Sequence, residues 1–125
     1  MRGRCYLLYA LAPEGMTARE ANDRLNEYVG DARRGLSVWH DHFVGIHGGA
    51  VVLDIRSEEE RVLLDDPGPL AGWALSIHPL TFSLSAVGFA AQTSFTLERY
   101  RGMSLDGLAA AETDDPRFWW RRRSA

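Results

Sequence analysis

The side chains able to do chemistry in this chain are concentrated in two places. Residues 39–56 hold Trp39, His40, Asp41, His42, Phe43, Asp54 and Arg56, and residues 73–82 hold Ser76 and His78. An imidazole oriented by a carboxylate is suited to general acid–base work, because histidine changes charge near neutral pH. His78 with Asp54 is therefore the candidate catalytic pair. Trp39, Asp41, Phe43, Arg56 and Ser76 are the candidate ligand-binding surface around it. His40 and His42 form a second constellation. Two residues apart on a strand, their imidazoles lie about 6.5–7 Å apart on one face, a distance that can chelate a metal. Zinc or iron would need a third ligand, and only Asp and Glu residues of unknown position could supply it. The simpler reading is a pair of edge histidines hydrogen-bonded to backbone or carboxylates.

These residues depend on a hairpin for their placement. Two runs rich in β-branched and aromatic residues flank Gly48-Gly49, a pair able to adopt the positive φ angles of a tight turn. With those glycines as the turn, Ile46 opposes Val51, Val44 opposes Leu53, His42 opposes Ile55 and Asp41 opposes Arg56. Side chains alternate across a strand. Val44, Ile46, Val51, Leu53 and Ile55 then form a core face, and Trp39, Asp41, Phe43, Asp54 and Arg56 the other. Asp41 opposite Arg56 reads as a cross-strand ion pair worth a few tenths to about 1 kcal/mol. His47 falls in the turn and is expected to face solvent.

Around this hairpin the chain reads as a regular alternation. Residues 5–12 form an apolar run expected of a strand covered on both faces. Pro13-Glu14-Gly15 ends it, and Thr17-Ala18-Arg19-Glu20 matches a capping box at the start of a helix that Gly30 or Gly35 closes. Ser57-Glu58-Glu59-Glu60 is a second capping box, and Asp66-Pro67-Gly68-Pro69 stops that helix early. Residues 73–82 alternate as a strand, with Pro79 suited to an edge or a bend. Residues 85–101 carry both helical and strand signals and are read as a helix ended by Gly102, with a further short helix over 104–111. A last turn is expected through Phe118, Trp119 and Trp120. The result is an α+β fold with a ferredoxin-like βαββαβ sheet and a C-terminal helical extension. The chain reads as one domain over 1–125, with 5–82 as core and 83–125 as extension. In this topology the first strand separates Asp54 from His78 by roughly 10 Å, so joint action needs a bridging substrate or water.

Composition removes several functions. The 125 residues are 46% hydrophobic and 25% charged with net charge -3, the profile of a globular chain with no global pull toward nucleic acid. All 14 basic residues are arginine, which excludes a lysine nucleophile or Schiff base. Cys5 stands alone, in keeping with a reducing cytoplasm and a core role rather than a nucleophilic one. The apolar start is shorter than the roughly 15–30 residues of a secretory signal, and no apolar run approaches the roughly 20 needed to span a bilayer. The basic, aromatic stretch 117–123 suits nucleic acid, a membrane surface or docking onto its own domain or a dimer mate. Two tryptophans left in water would promote aggregation, which favours docking.

Asp66-Pro67 after the second helix, and Gly72-Trp73-Ala74-Leu75-Ser76-Ile77-His78-Pro79-Leu80 as the last strand, resemble the dimeric α+β barrel superfamily. Its YCII-related and antibiotic-biosynthesis-monooxygenase-like branches are the nearest in pattern, over residues 5–82. The resemblance implies two sheets face to face in a homodimer, with ligand sites inside the barrel or between sheet and helices. No histidine follows the first strand, where a YCII-like His–Asp pair would be expected, so no catalytic residue is carried over. The expectation is a cytoplasmic homodimer that binds a small metabolite between its sheets and, if it is an enzyme, converts it without an organic cofactor. The alternative is a non-enzymatic dimeric interaction module, and the third reading is metal binding through His40 and His42. Neither nucleic acid nor membrane is expected as a partner.

Overall fold

Residues 4–11 place Tyr6, Leu8 and Ala10 on one side and Cys5, Leu7, Tyr9 and Leu11 on the other, and they form an interior strand of a four-stranded antiparallel sheet. A computed structural model describes residues 2–112 and Arg117. The elements run β1 (Arg4–Leu11), α1 (Ala18–Gly30), β2 (Leu36–His42), β3 (Gly48–Ile55), α2 (Glu58–Leu63) and β4 (Ala74–Pro79). The strand order is β2-β3-β1-β4, with every neighbouring pair antiparallel. This α+β arrangement is compatible with the ferredoxin-like order expected from the sequence.

Both N-caps form where the sequence places them, but the reciprocal Glu bond of a capping box to the cap amide is formed at neither helix among the described residues. Thr17 Oγ1 accepts from the Glu20 amide at 3.1 Å and Ser57 Oγ from the Glu60 amide at 3.2 Å, each satisfying one orphan first-turn donor. Glu60 reaches back one residue beyond its cap, to the Arg56 amide at 2.8 Å. Helix α1 then lays Ala21, Leu25 and Tyr28 on Leu8, Val51, Leu53 and Ile55, and Leu64, Leu70 and Trp73 complete the core. Burying each large side chain is worth about 1.5–3 kcal/mol. A buried arginine ties this layer together. Arg34, in the 3₁₀ turn that leaves α1, donates to Leu63 O at 3.0 Å and Asp66 O at 2.5 Å, and stacks 4.7 Å over the Tyr28 ring. Gly68 leaves room for it, because a Cβ there would collide with Arg34 Nη2.

The hairpin register differs from the sequence expectation. His42 pairs with Gly49, Asp41 with Ala50, His40 with Val51 and Trp39 with Val52, and a bulge follows at Val38. Residues 43–47 are the connection, and Gly48 and Gly49 lie inside β3. Val44 is 98% exposed, not part of the core. Asp41 is registered with Ala50 rather than Arg56, and Arg56, just past the end of β3, pairs with Asp54 at 2.8 Å. The glycines are needed for close approach, not for a turn. A Cβ on Gly49 would strike the Asp41 carbonyl and lie 2.5 Å from Leu25 Cδ2, while one on Gly48 would strike the Ala10 carbonyl. The register error is six residues, an even number, so the division into two faces survives for Trp39, Asp41, Phe43 and Asp54.

A second compact unit begins at Ala90. Helix α3 (Ala86–Thr96) runs into it and widens to a π turn over Leu97–Arg101, ended by Gly102 at φ +63°. Helix α4 (Leu105–Ala111) follows, capped by Ser104, whose hydroxyl accepts from the Gly107 amide at 2.9 Å. Within this unit Phe95 and Tyr100 meet edge to face at 6.2 Å. The expected turn through Phe118, Trp119 and Trp120 lies outside the described residues. Among the described residues no helix is long and apolar enough to cross a membrane.

Gly49→Ala isolates the close approach, since its backbone is not in the left-handed region and only space is at issue. Overpacking of this kind costs about 1–3 kcal/mol. Urea unfolding should show a loss in that range with an unchanged m-value.

Candidate functional site

Alternation along the strands gives the sheet one face packed against α1 and a second, opposite face. The second face holds three rows of registered residues. Trp39, Val52, Leu7 and His78 form one row; Asp41, Ala50, Tyr9 and Ser76 the next. Gly48, Leu11 and Ala74 form the third. Phe43, just past β2, brings its ring to 5.0 Å from that of Tyr9. The middle of this face is apolar: Val52 and Ala50 are buried, while Tyr9 and Trp39 are 42% and 44% exposed. Its polar groups lie on the two edge strands, Asp41 on β2 and the Ser76–His78 pair on β4. Ser76 Oγ and His78 Nε2 are 2.6 Å apart, a hydrogen bond between alternate residues of an exposed strand.

One corner of the face is closed by the chain itself. Leu80 N donates to Cys5 O and Cys5 N to Ser83 O, both at 2.9 Å, wrapping residues 80–83 around the start of β1. The backbone then crosses to Asp54, whose Oδ2 accepts the Ala86 amide at 2.9 Å. The same oxygen accepts Nε and Nη2 of Arg56 at 3.0 and 2.8 Å. Asp54 is 1% exposed, and its Oδ1 is buried without a hydrogen-bond partner among the described residues. Burial pushes this carboxyl up. The Arg56 hydrogen bonds, the Ala86 amide and the guanidinium charge together outweigh it and hold the group below the usual carboxylate range. Cys5 lies directly across from Asp54 and is fully buried. Burial, reinforced by the Asp54 charge, pushes its thiol up, which suits a core residue and not a nucleophile.

The structure gathers some of the expected residues and separates others. Trp39, Asp41 and Phe43 share the face opposite α1 with Ser76 and His78. Asp54 and His78 are not brought together: β1 separates their strands, and they lie in different rows, since His78 registers with Leu7 and Asp54 with Cys5. Asp54 is committed to Arg56 and Ala86, and Arg56 to Asp54. His40 and His42 point to the helix-covered side at the β2 edge, with ring centroids 5.5 Å apart. His42 Nε2 meets Asn26 Oδ1 of α1 at 3.2 Å. Among the described residues no three His, Cys, Asp or Glu side chains gather as a metal site. The sequence reading missed Leu7, Tyr9 and Val52 as members of the open face. Tyr9 was the available signal, since a tyrosine in an apolar central strand often marks a surface that is covered from outside.

No family model matches the chain, and no curated protein or solved structure matches it.

The Asp54 corner predicts an acid response. A carboxylate with a depressed folded pKa adds stability above its unfolded value of about 3.9, and that stability is lost as pH falls through the folded pKa. Asp54→Asn should lower stability at pH 7 by about 1–3 kcal/mol, the worth of charge-assisted hydrogen bonds. The difference from the wild type should shrink below pH 4. Chemical unfolding at pH 7 and pH 3 measures both; an undiminished difference at pH 3 would contradict the assignment.

Proposed function

We propose that this chain acts as a homodimer joined through the sheet faces opposite α1, an interaction module of the dimeric α+β barrel kind. The observation that carries this reading is the apolar centre of that face, built from Leu7, Tyr9, Trp39, Phe43, Ala50 and Val52 on rigid strands. Tyr9 and Trp39, each more than two-fifths exposed there, gain stability when another layer covers them.

The registered rows favour a second copy as that layer. A two-fold axis along the strands maps each row onto itself with its order reversed. Ala50 then faces the partner's Tyr9 and Val52 the partner's Leu7, a small residue meeting a large one in the central row. Trp39 faces the partner's His78, and Asp41 the partner's Ser76 beside that histidine. An axis perpendicular to the strands would instead stack β2 on β2 and bring Asp41 toward its own copy. Complementarity of size and charge therefore selects the first arrangement.

A second reading, a small-molecule site enclosed between the paired sheets, is favoured by one observation. The Ser76–His78 pair sits at the rim of that space with the imidazole exposed. In this reading His78 contacts the ligand and Asp54 only secures the adjacent corner.

Sedimentation velocity at about 10–100 μM should give twice the chain mass. Trp39→Glu would place an uncompensated charge in the interface, at a cost of about 3 kcal/mol or more, weakening dimerisation at least 100-fold. Val62→Glu, on the exposed side of α2, should leave the mass unchanged. A wild-type monomer at 100 μM contradicts the proposal.

A further inference from the structure

His40 and His42 lie at the β2 edge on the side of α1, away from the face proposed to pair, and nothing argued for that face bears on them. Their ring centroids are 5.5 Å apart and their planes nearly perpendicular, at 82°. His40 is exposed, whereas His42 is half-buried and anchored. The Nε2 of His42 lies 3.2 Å from Asn26 Oδ1 on α1. A carboxamide oxygen only accepts, so Nε2 carries the hydrogen and Nδ1 of the neutral ring keeps its lone pair. That Nδ1 is shielded from water and has no hydrogen-bond partner among the described residues. A buried acceptor left unpaired is costly, and whatever engages the lone pair recovers that cost.

This is the arrangement that prepares an imidazole to ligate a metal. A ligating histidine donates its other ring N–H to a fixed acceptor, which sets the tautomer and raises the basicity of the coordinating nitrogen. Asn26 does this for His42, and His40 brings a second imidazole within reach. With metal–nitrogen bonds of about 2.0–2.1 Å, a shared ion lies roughly 3.2 Å from each ring centroid, so rings bonded at cis angles have centroids roughly 4.5–5.3 Å apart. The observed 5.5 Å needs only a small swing of the exposed His40 ring. A pair of nitrogen donors is poorly matched to Mg²⁺ and Ca²⁺, which take oxygen ligands. The described residues bring no third His, Cys, Asp or Glu to the pair, so it falls short of a structural zinc cage and water completes the coordination. Cu²⁺ and Ni²⁺ accept imidazole and water in tetragonal sites, and Cu²⁺ is the tighter of the two in the general order of divalent affinities. We propose that His40 and His42 form a bidentate site for these cations, Cu²⁺ by preference, with His42 bound through Nδ1 and Asn26 as its positioning residue.

The test is calorimetric titration of the full chain with Cu²⁺, Ni²⁺ and Mg²⁺ separately, at about pH 7.5 so that the imidazoles are deprotonated for binding. One Ni²⁺ per chain should bind saturably, Cu²⁺ should bind at least tenfold more tightly, and Mg²⁺ should show no saturable site. His40→Gln, at an exposed position, and His42→Gln should each lower Ni²⁺ affinity at least tenfold. His47→Gln, in the loop after β2, should leave it unchanged. Asn26 separates the proposed geometry from a simple pair of surface imidazoles. Asn26→Leu removes the acceptor that orients His42 and should weaken Ni²⁺ binding at least tenfold. Asn26→Asp keeps an acceptor for the Nε2 hydrogen and should bind at least as tightly as the wild type. A metal held by Nε2 would give the opposite sign, because Asn26→Leu would free that nitrogen. The proposal is overturned by the absence of a saturable Ni²⁺ site, or by a His40→Gln or His42→Gln chain that binds as the wild type does. An Asn26→Leu chain that binds Ni²⁺ as tightly as the wild type, or more tightly, also overturns it.

Discussion

A four-stranded sheet has two faces, and α1 packs on one of them. Leu8, Val51, Leu53 and Ile55 point to α1 and are sealed by Ala21, Leu25 and Tyr28. The residues between them in sequence, Leu7, Tyr9 and Val52, necessarily point the other way. β1 and β3 are therefore apolar on both sides. On the second face Cys5, Asp54, Val52 and Ala50 are buried, while Tyr9 and Trp39 keep more than two-fifths of their surface in water.

The corner at Cys5 and Asp54 is covered by the chain itself. Closing it takes a buried carboxylate, a guanidinium from the same strand and an amide thirty-two residues further on. A buried charge is tolerated only when paired and hydrogen-bonded, so Asp54 binds the course of residues 83–86 to one position over Cys5. The same logic operates on the helix side. Arg34 is buried beneath Gly68, and its donors go to the carbonyls of Leu63 and Asp66. Each layer has one buried charge that fixes the path of a connecting segment, and apolar packing does the rest.

How much of this was legible follows from the range of each interaction. The capping residues Thr17, Ser57 and Ser104 and the terminator Gly102 act over three or four residues, and the helices they bound were readable. The order of strands and helices followed from them. The hairpin register was not readable, because Gly48-Gly49 carries the same signal whether it makes a turn or makes room for Asp41 and Ala10. The faces were still assigned correctly for Trp39, Asp41 and Phe43, because side-chain alternation is insensitive to an even shift. The Asp41–Arg56 pair failed with the register. The role of Asp54 was hidden for a different reason: its partner amide at Ala86 is defined only by the closed fold, and no local pattern announces it.

The central proposal is that two copies meet through the sheet faces opposite α1 with Trp39 over the partner's His78. Cross-linking tests it most directly. Trp39→Cys and His78→Cys chains are mixed and treated with a bis-maleimide whose reach matches the roughly 10 Å between packed sheets; Cys5, fully buried, does not compete. The account predicts mixed cross-linked dimers well in excess of those formed by either variant alone, and none above background with Val62→Cys as the second chain. Cross-linking of Trp39→Cys chains to one another as efficiently as to His78→Cys chains would contradict the arrangement, and no cross-linked dimer at all would contradict the interface.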